Sequence, residues 1–176
     1  MQIQKVIEHT VNSDLSSKIA DLLQRSFEGF PKGRIFFQQL PSFRIVVAEN
    51  NTLIGHLAVH HRIISSNGVV FPIFGITDLC VAEMNQNSGI ASSMLNYLEE
   101  LAENSNIDFL MLVSGKNEFY LKRGFQLASN VCCWVMIQNN RSIGLVRRRV
   151  ENGFMYRSIK DKVWPDGEID LLGHVF

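Results

Sequence analysis

Hydrophobic positions along the chain follow two spacings, and their alternation outlines the elements. "IQKVIEHT" (3–10) reads as a first strand. "NSDLSSKIADLLQRSF" (12–27) then sets Leu15, Ile19, Leu22, Leu23 and Phe27 on one helical face, with Asn12, Ser13 or Asp14 placed to cap it. Residues 28–43 are broken by Gly29, Pro31, Gly33 and Pro41; they predict an irregular loop with one helical turn at 36–40, the kind of loop that often shapes an acceptor pocket. "FRIVVAE" and "TLIGHLAVHHRII" are strands joined at Asn50-Asn51, a tight-turn dipeptide. "SSNG" (65–68) turns into "VVFPIFGITDLCVAE", a third strand whose Pro72 and Gly75 predict a bend or bulge.

The middle of the chain is the most ordered in pattern. "GIASSMLNYLEELAENS" carries Ile90, Met94, Leu95, Leu98, Leu101 and Ala102 along one face, an amphipathic helix. "IDFLMLVSG" is a near-continuous apolar run, the pattern of a strand buried on both faces. Strand, crossover helix and buried strand make a βαβ unit with parallel neighbours. "KNEFYLKRGF" predicts a short helix ending at Gly124, "NVCCWVMIQ" a further strand, and "FMYRSI" one more. A terminal segment is held by Trp164, Leu171, Leu172 and Phe176. With no repeat, low-complexity tract or linker, a single domain over 1–176 is expected, α/β in class with a mixed sheet.

Composition narrows the function classes. Hydrophobic residues make up 46% of the chain and charged residues 19%, as in a globular protein that buries a sizeable core. No apolar run reaches the span of a membrane helix and the start lacks a signal-peptide core, so a cytoplasmic location with no membrane partner is expected. Lys+Arg and Asp+Glu each number 17, which gives no electrostatic reason to expect nucleic acid. Arg147, Arg148 and Arg149 are the local exception, read as a solvated strand edge before an anion contact.

Three cysteines, Cys80, Cys132 and Cys133, have no C-x-x-C spacing, so reduced core thiols are expected rather than disulfides or zinc. His56, His60 and His61 lie on a strand, where residues four apart stand roughly 13 Å from one another, too far to share an ion. No metal is expected.

A polar knot, "QNSGIA", joins the third strand to the helix. Amides in a helix's first turn lack intrahelical partners and sit at the positive end of the macrodipole, so a small-residue turn there lets an anionic group approach them. Gln86, Ser88, Gly89 and Ala91 suit that task. A plain Ser88 cap with Gly89 merely tolerated is the competing reading. "SGKNEF" (114–119) lacks the pattern of a nucleotide P-loop, and no strand is followed by G-x-G-x-x-G.

The knot resembles the Q/R-x-x-G-x-G/A motif of the GNAT acetyltransferase superfamily, carried here by Gln86, Gly89 and Ala91. "FYLKRGF" (119–125) resembles the family's "fYek.GF" signature, and "ITDLCVAEMNQ" looks like its fourth strand. The resemblance implies a single GNAT-like domain: a mixed, mostly antiparallel sheet with a parallel βαβ acyl-CoA-binding unit, flanked by helices. It implies acetyl-CoA as co-substrate, with the pyrophosphate on Gln86, Asn87, Ser88, Gly89, Ile90 and Ala91, and the pantetheine arm along the main chain of Leu79, Cys80 and Val81. The family's general acid carries over to Tyr120; a packed aromatic with its hydroxyl bonded is the alternative reading of that residue.

Two departures are visible. The position where relatives carry a catalytic Glu is Thr77; Asp78 and Glu83 are the carboxylates nearest in sequence, Glu83 in the outer loop, while Asp78 would face the wrong side of a regular strand unless a bulge turns it or a water chain does the work. The loop after the next strand is short, leaving Asn117 as the sole counterpart of a pantetheine-contacting Asn. The tail and this short loop resemble the subgroup of aminoglycoside 2'-N-acetyltransferases and nodulation N-acyltransferases. That points to an amine acceptor of amino-sugar type, with Asp166, Glu168, Asp170 and the terminal carboxylate as candidates for meeting a cation; a solvated tail is the equal alternative. A longer acyl donor, with Phe36, Phe37 and Phe74 under its groove, and a non-catalytic acyl-CoA sensor are the rival readings. Family habit extends the expectation to a homodimer.

Overall fold

The computed structural model describes residues 1–151 and 153–176. Its strands are β1 (Gln2–Ile7), β2 (Phe43–Glu49), β3 (Thr52–Ser66), β4 (Val69–Val81), β5 (Phe109–Val113), β6 (Gln126–Leu127), β7 (Val131–Gln138), β8 (Arg141–Arg149), β9 (Phe154–Ser158) and β10 (Ile169–His174). The helices are α1 (Ser13–Ser26), α2 (Ile90–Glu103) and α3 (Asn117–Leu121). All ten strands pair in one mixed sheet in the order β6-β9-β5-β4-β3-β10-β7-β8, with β2 also on β3 and β1 on β2. The fold is therefore α/β with a mixed sheet: of the strand pairs whose register is described, β4–β5 and β10–β7 are parallel and the others antiparallel.

The chain divides into two compact units, residues 1–60 with 77–100 and residues 61–76 with 101–176. The first unit packs α1 through Ile19, Leu22 and Leu23 onto Val6, Val46, Leu53 and Cys80. Its start is fixed by Asn12, whose side chain accepts the Leu15 amide at 2.9 Å, so the capping residue is the first of the three candidates. Residues 36–40 contain bends and no helical turn, which corrects that expectation.

The second unit is built on Ile64, Phe71, Ile73, Phe109, Met111, Cys132, Trp134, Phe154, Ile169 and Leu171. Parallel pairing of β4 with β5 runs from Ile73↔Phe109 to Ile76↔Leu112, the βαβ arrangement that the apolar runs predicted. β4 runs as one strand through Pro72 and Gly75. Gly75 admits the Phe176 ring, whose Cδ1 would lie 2.6 Å from a Cβ at that position. The hairpin of β7 and β8 places Arg147–Arg149 on an exposed strand at one end of the sheet order, where Arg147 pairs with Glu168. The solvated-edge reading of that basic run describes what it does.

Candidate functional site

Residues 77–91 form one continuous polar-to-helical passage in the first unit. Thr77–Val81 finishes β4 beyond its last registered pair with β5. Within β4, Asp78 has φ +53, the left-handed conformation that non-glycine residues rarely adopt inside a strand. This is the local turn that the sequence required if Asp78 were to leave the face dictated by alternation. Burial pushes the Asp78 carboxyl up to about 6, and the Arg44 guanidinium partly offsets the rise.

Leu79, Cys80 and Val81 follow. The Cys80 side chain is buried in the core of the first unit, and its thiol is pushed up to about 12, chiefly by burial. It is a protonated packing group, as expected of a core thiol, so any ligand role at this position belongs to its main chain.

A short 3₁₀ turn at 83–85 then leads into the knot. Gln86 folds back, its Nε2 donating to the Val81 carbonyl at 3.4 Å. Asn87 takes φ +60, and Ser88 spends its hydroxyl proton on the Asn85 carbonyl. The cap of α2 is Gly89, whose carbonyl accepts the Ser93 amide at 2.9 Å, so the Ser88-cap alternative is set aside. Gly89 has φ +86, and a Cβ built on it would meet nothing within 4 Å. No side chain stands over the first turn at the capping position. The helix is held by Ile90, Met94, Leu95 and Leu98, all buried, and it approaches β3 at Gly55.

In the second unit, α3 carries Asn117 and Tyr120, three residues apart. Tyr120 is 7% exposed, packed edge-on between Phe119 and Phe125. Its hydroxyl bonds to the Ser114 side chain, and burial pushes the phenol up to about 12 against the opposing effects of Ser114 and Arg123. Asn117 Oδ1 is buried without a hydrogen-bond partner among the described residues. An orphaned acceptor in a folded interior is costly, and a ligand N–H is one group that would satisfy it.

Three groups that sequence reasoning passed over stand behind Asp78. His56, weighed there only as a metal ligand, is fully buried, and its Nδ1 lies 3.0 Å from the Asp78 carbonyl oxygen. Arg44, also fully buried, reaches His56 Nε2 at 2.9 Å and grips Glu8 with two bonds. A charged residue flanked by Phe43 and Ile45 on an apolar strand was the available signal, though the sequence does not say which partner it meets. Among the described residues no cluster of three His, Cys, Asp or Glu could hold a metal, and no helix is long and apolar enough to cross a membrane.

The tail carboxylates have other engagements. Glu168 is bonded to Arg147, Asp170 caps the Leu172 amide, and Asp166 lines a cavity of about 420 Å³ with Tyr156 and Trp164. No residue of the knot or of α3 lines that cavity.

A profile described as "Acetyltransferase (GNAT) domain" matches residues 9–128, which is 120 of 176 residues. The chain belongs to the GNAT acetyltransferase family. As a GNAT protein it is an acyltransferase, and structural comparison agrees at the level of fold. The CoA complex of the GNAT family N-acetyltransferase YhbS from Escherichia coli aligns with TM-score 0.68 at 18% identity, over 97% of this chain and 88% of that one. A GNAT family acetyltransferase from Brucella melitensis, in complex with acetyl-CoA, aligns at 0.61 and 11% identity over 96% and 94%. Eis1 from Mycobacterium abscessus aligns at 0.63 and 13% identity over 76% of this chain, which spans 33% of that longer protein. No match was found among curated protein sequences.

Proposed function

We propose that this GNAT protein moves an acetyl group from acetyl-CoA to a primary amine of a small molecule. The observation that carries the reading is the open first turn of α2. Gly89 caps it with φ +86 and free space where a Cβ would stand, while Ser88 turns its hydroxyl toward Asn85. An anionic pyrophosphate can reach the amides from Gln86 to Ala91 there, where fixed N–H dipoles replace its water. The CoA and acetyl-CoA complexes of its structural neighbours support the same assignment.

The remaining roles follow the chemistry. The main chain of Leu79–Val81 is the proposed partner of the pantetheine arm, and the orphaned Asn117 Oδ1 is a proposed acceptor for one of its amide N–H groups. Asp78 takes a proton from the acceptor ammonium. The neutral amine attacks the thioester carbonyl, a C–N bond forms, the C–S bond breaks, the departing thiolate receives a proton from Tyr120, and the second proton of the attacking nitrogen restores the tyrosine while Asp78 returns its own to solvent. Net, one acetyl group moves and one proton is released to solvent. Asp78, held near pKa 6, is ionised and ready at neutral pH, while Tyr120 stays protonated. An acceptor of amino-sugar type remains the proposed class, on the resemblance of the tail and of the short loop before α3.

Thr77 standing where relatives carry a carboxylate favours a second reading, an acyl-CoA sensor without turnover. Thiol release from acetyl-CoA over a panel of amines separates the two. Release that depends on an amine supports transfer. CoA binding without release on any amine supports the sensor, and release only from longer thioesters supports a long-chain acyl donor.

A further inference from the structure

Four polar groups run in sequence through the first unit, and the chemistry above uses only the last. The Glu8 carboxylate accepts Arg44 Nε–H at 2.6 Å and Nη2–H at 2.9 Å. Arg44 Nη1 lies 2.9 Å from His56 Nε2, and His56 Nδ1 lies 3.0 Å from the Asp78 carbonyl. Arg44 and His56 are both 0% exposed. Apolar residues of similar size would pack on these neighbouring strands without desolvating a charge, so the polarity has a use beyond filling space.

Donor arithmetic fixes the imidazole. A guanidinium has no acceptor, so Nε2 must accept from Arg44; Nδ1 then carries the proton and donates to the Asp78 carbonyl. A protonated ring would set N–H against N–H. Burial and the Arg44 charge accordingly lower the His56 pKa to about 3, and the ring stays neutral.

The carbonyl that receives this bond belongs to the residue at φ +53. A non-glycine residue persists in that region only where its surroundings determine it. The groups facing Asp78 are Arg44 from β2, with Glu8 from the turn after β1 behind it, the neutral His56 from β3, and the Cys80 thiol two residues along β4.

We propose that His56 is a positioning residue for acyl transfer: braced by the Arg44–Glu8 pair, it holds residue 78 in its left-handed turn and thereby sets the direction and solvation of the Asp78 carboxyl. The inference rests on Asp78 being the base of the reaction above. His56 acts through Asp78 and touches no reacting atom.

Spectroscopy and kinetics on the intact protein test it together. Nitrogen-15 spectra of the wild type report the tautomer, and a carbon-13 carboxyl titration reports Asp78 in wild type, His56→Leu and His56→Gln. Glutamine can offer a carbonyl to Arg44 and an amide N–H to the Asp78 carbonyl; leucine offers neither. The expected result is an Nδ1–H tautomer that does not titrate from roughly pH 5 to 9. The Asp78 midpoint should fall toward the ordinary carboxylate range in His56→Leu and return in His56→Gln. With a turning-over amine, His56→Leu should lose about tenfold or more in kcat at nearly constant acetyl-CoA KM, its acid limb moving with the Asp78 midpoint.

An Nε2–H tautomer, a titrating His56, or an unmoved Asp78 midpoint in folded His56→Leu overturns the proposal. Should His56→Leu not fold, the wild-type tautomer and the His56→Gln titration decide the matter. Failure of every amine to turn over would sink the transfer reading while the two spectroscopic results still judge His56.

Discussion

Gly55 lies so close under Ile90 that a Cβ on the glycine would stand 2.9 Å from the Ile90 Cγ2 atom. Met94 Cε and Val47 Cβ would each be 3.2 Å away, so the first turns of α2 rest on bare backbone of β3. Replacing Gly55 by Ala must push a stiff β-branched side chain outward, and the start of the helix with it. The expected cost is about 1–3 kcal/mol of unfolding free energy, together with weaker CoA binding. Thermal unfolding and calorimetric titration on the same preparation check it; an Ala variant with unchanged CoA affinity would show that the turn tolerates displacement.

Gly89 tests the phosphate reading without disturbing the core, because open space surrounds it. Gly89→Asp adds a carboxylate at the positive end of α2 and strains a residue at φ +86. Strain of about 1–2 kcal/mol outweighs or matches a dipole gain of about 0.3–1 kcal/mol, so stability should fall by no more than about 2 kcal/mol. CoA affinity should fall about tenfold or more, while a pantetheine thioester lacking the pyrophosphate should lose nothing. Equal losses for both ligands would place the pyrophosphate elsewhere.

Tyr120→Phe separates chemistry from packing. The ring keeps its place between Phe119 and Phe125, and only the hydroxyl bonded to Ser114 is lost. If Tyr120 is the acid, kcat drops about 10²- to 10⁴-fold with acetyl-CoA affinity retained. Its phenol titrates near 12 in the folded protein, above the usual 10, so the associated stability is complete below pH 10 and disappears as pH rises toward 12. An alkaline limb in the rate below pH 9 would therefore belong to another group.

Asp78 and His56 pull the acid stability in opposite directions. The Asp78 carboxyl is raised from 3.8 to about 6, so its contribution is present below pH 3.8 and lost as pH rises through 6. His56 is lowered from 6.5 to about 3, so its contribution is present above pH 6.5 and lost as pH falls toward 3. Between about pH 4 and 6 the two proton counts offset. Asp78→Asn removes one side and leaves the other. Relative to wild type, that variant should lose unfolding free energy on acidification from pH 6 to 4, at a slope approaching about 1.4 kcal/mol per pH unit. Denaturant unfolding at three pH values measures the difference directly; parallel pH profiles would refute the Asp78 assignment, and a flat profile of the variant would refute that of His56. Its transfer rate should also fall throughout.

The order of elements from β1 to α3 was legible because each rests on local rules. The 3.6-residue period of Leu15 to Phe27, the unbroken run Phe109–Val113 and the Asn50-Asn51 turn need no partner to be recognised. The motif turn was legible for the same reason, since Gly89 and the small residues beside it describe a helix start. The helical turn expected at 36–40 did not form, and the use of Gly75 was not legible, because a glycine does not reveal what packs against it; Phe176, about a hundred residues on, takes the space there.

By itself, then, the sequence determined the family, the βαβ unit and the residues able to meet an anion, all properties of neighbours along the chain. Only the tertiary structure decided that Gly89, not Ser88, caps α2, that Asp78 leaves the strand conformation, and that Glu8, Arg44 and His56 stand behind it. The reason is physical. A buried charge is tolerated only when its partners are supplied from distant parts of the chain, and those partners exist as a group only after β1, β2, β3 and β4 have paired.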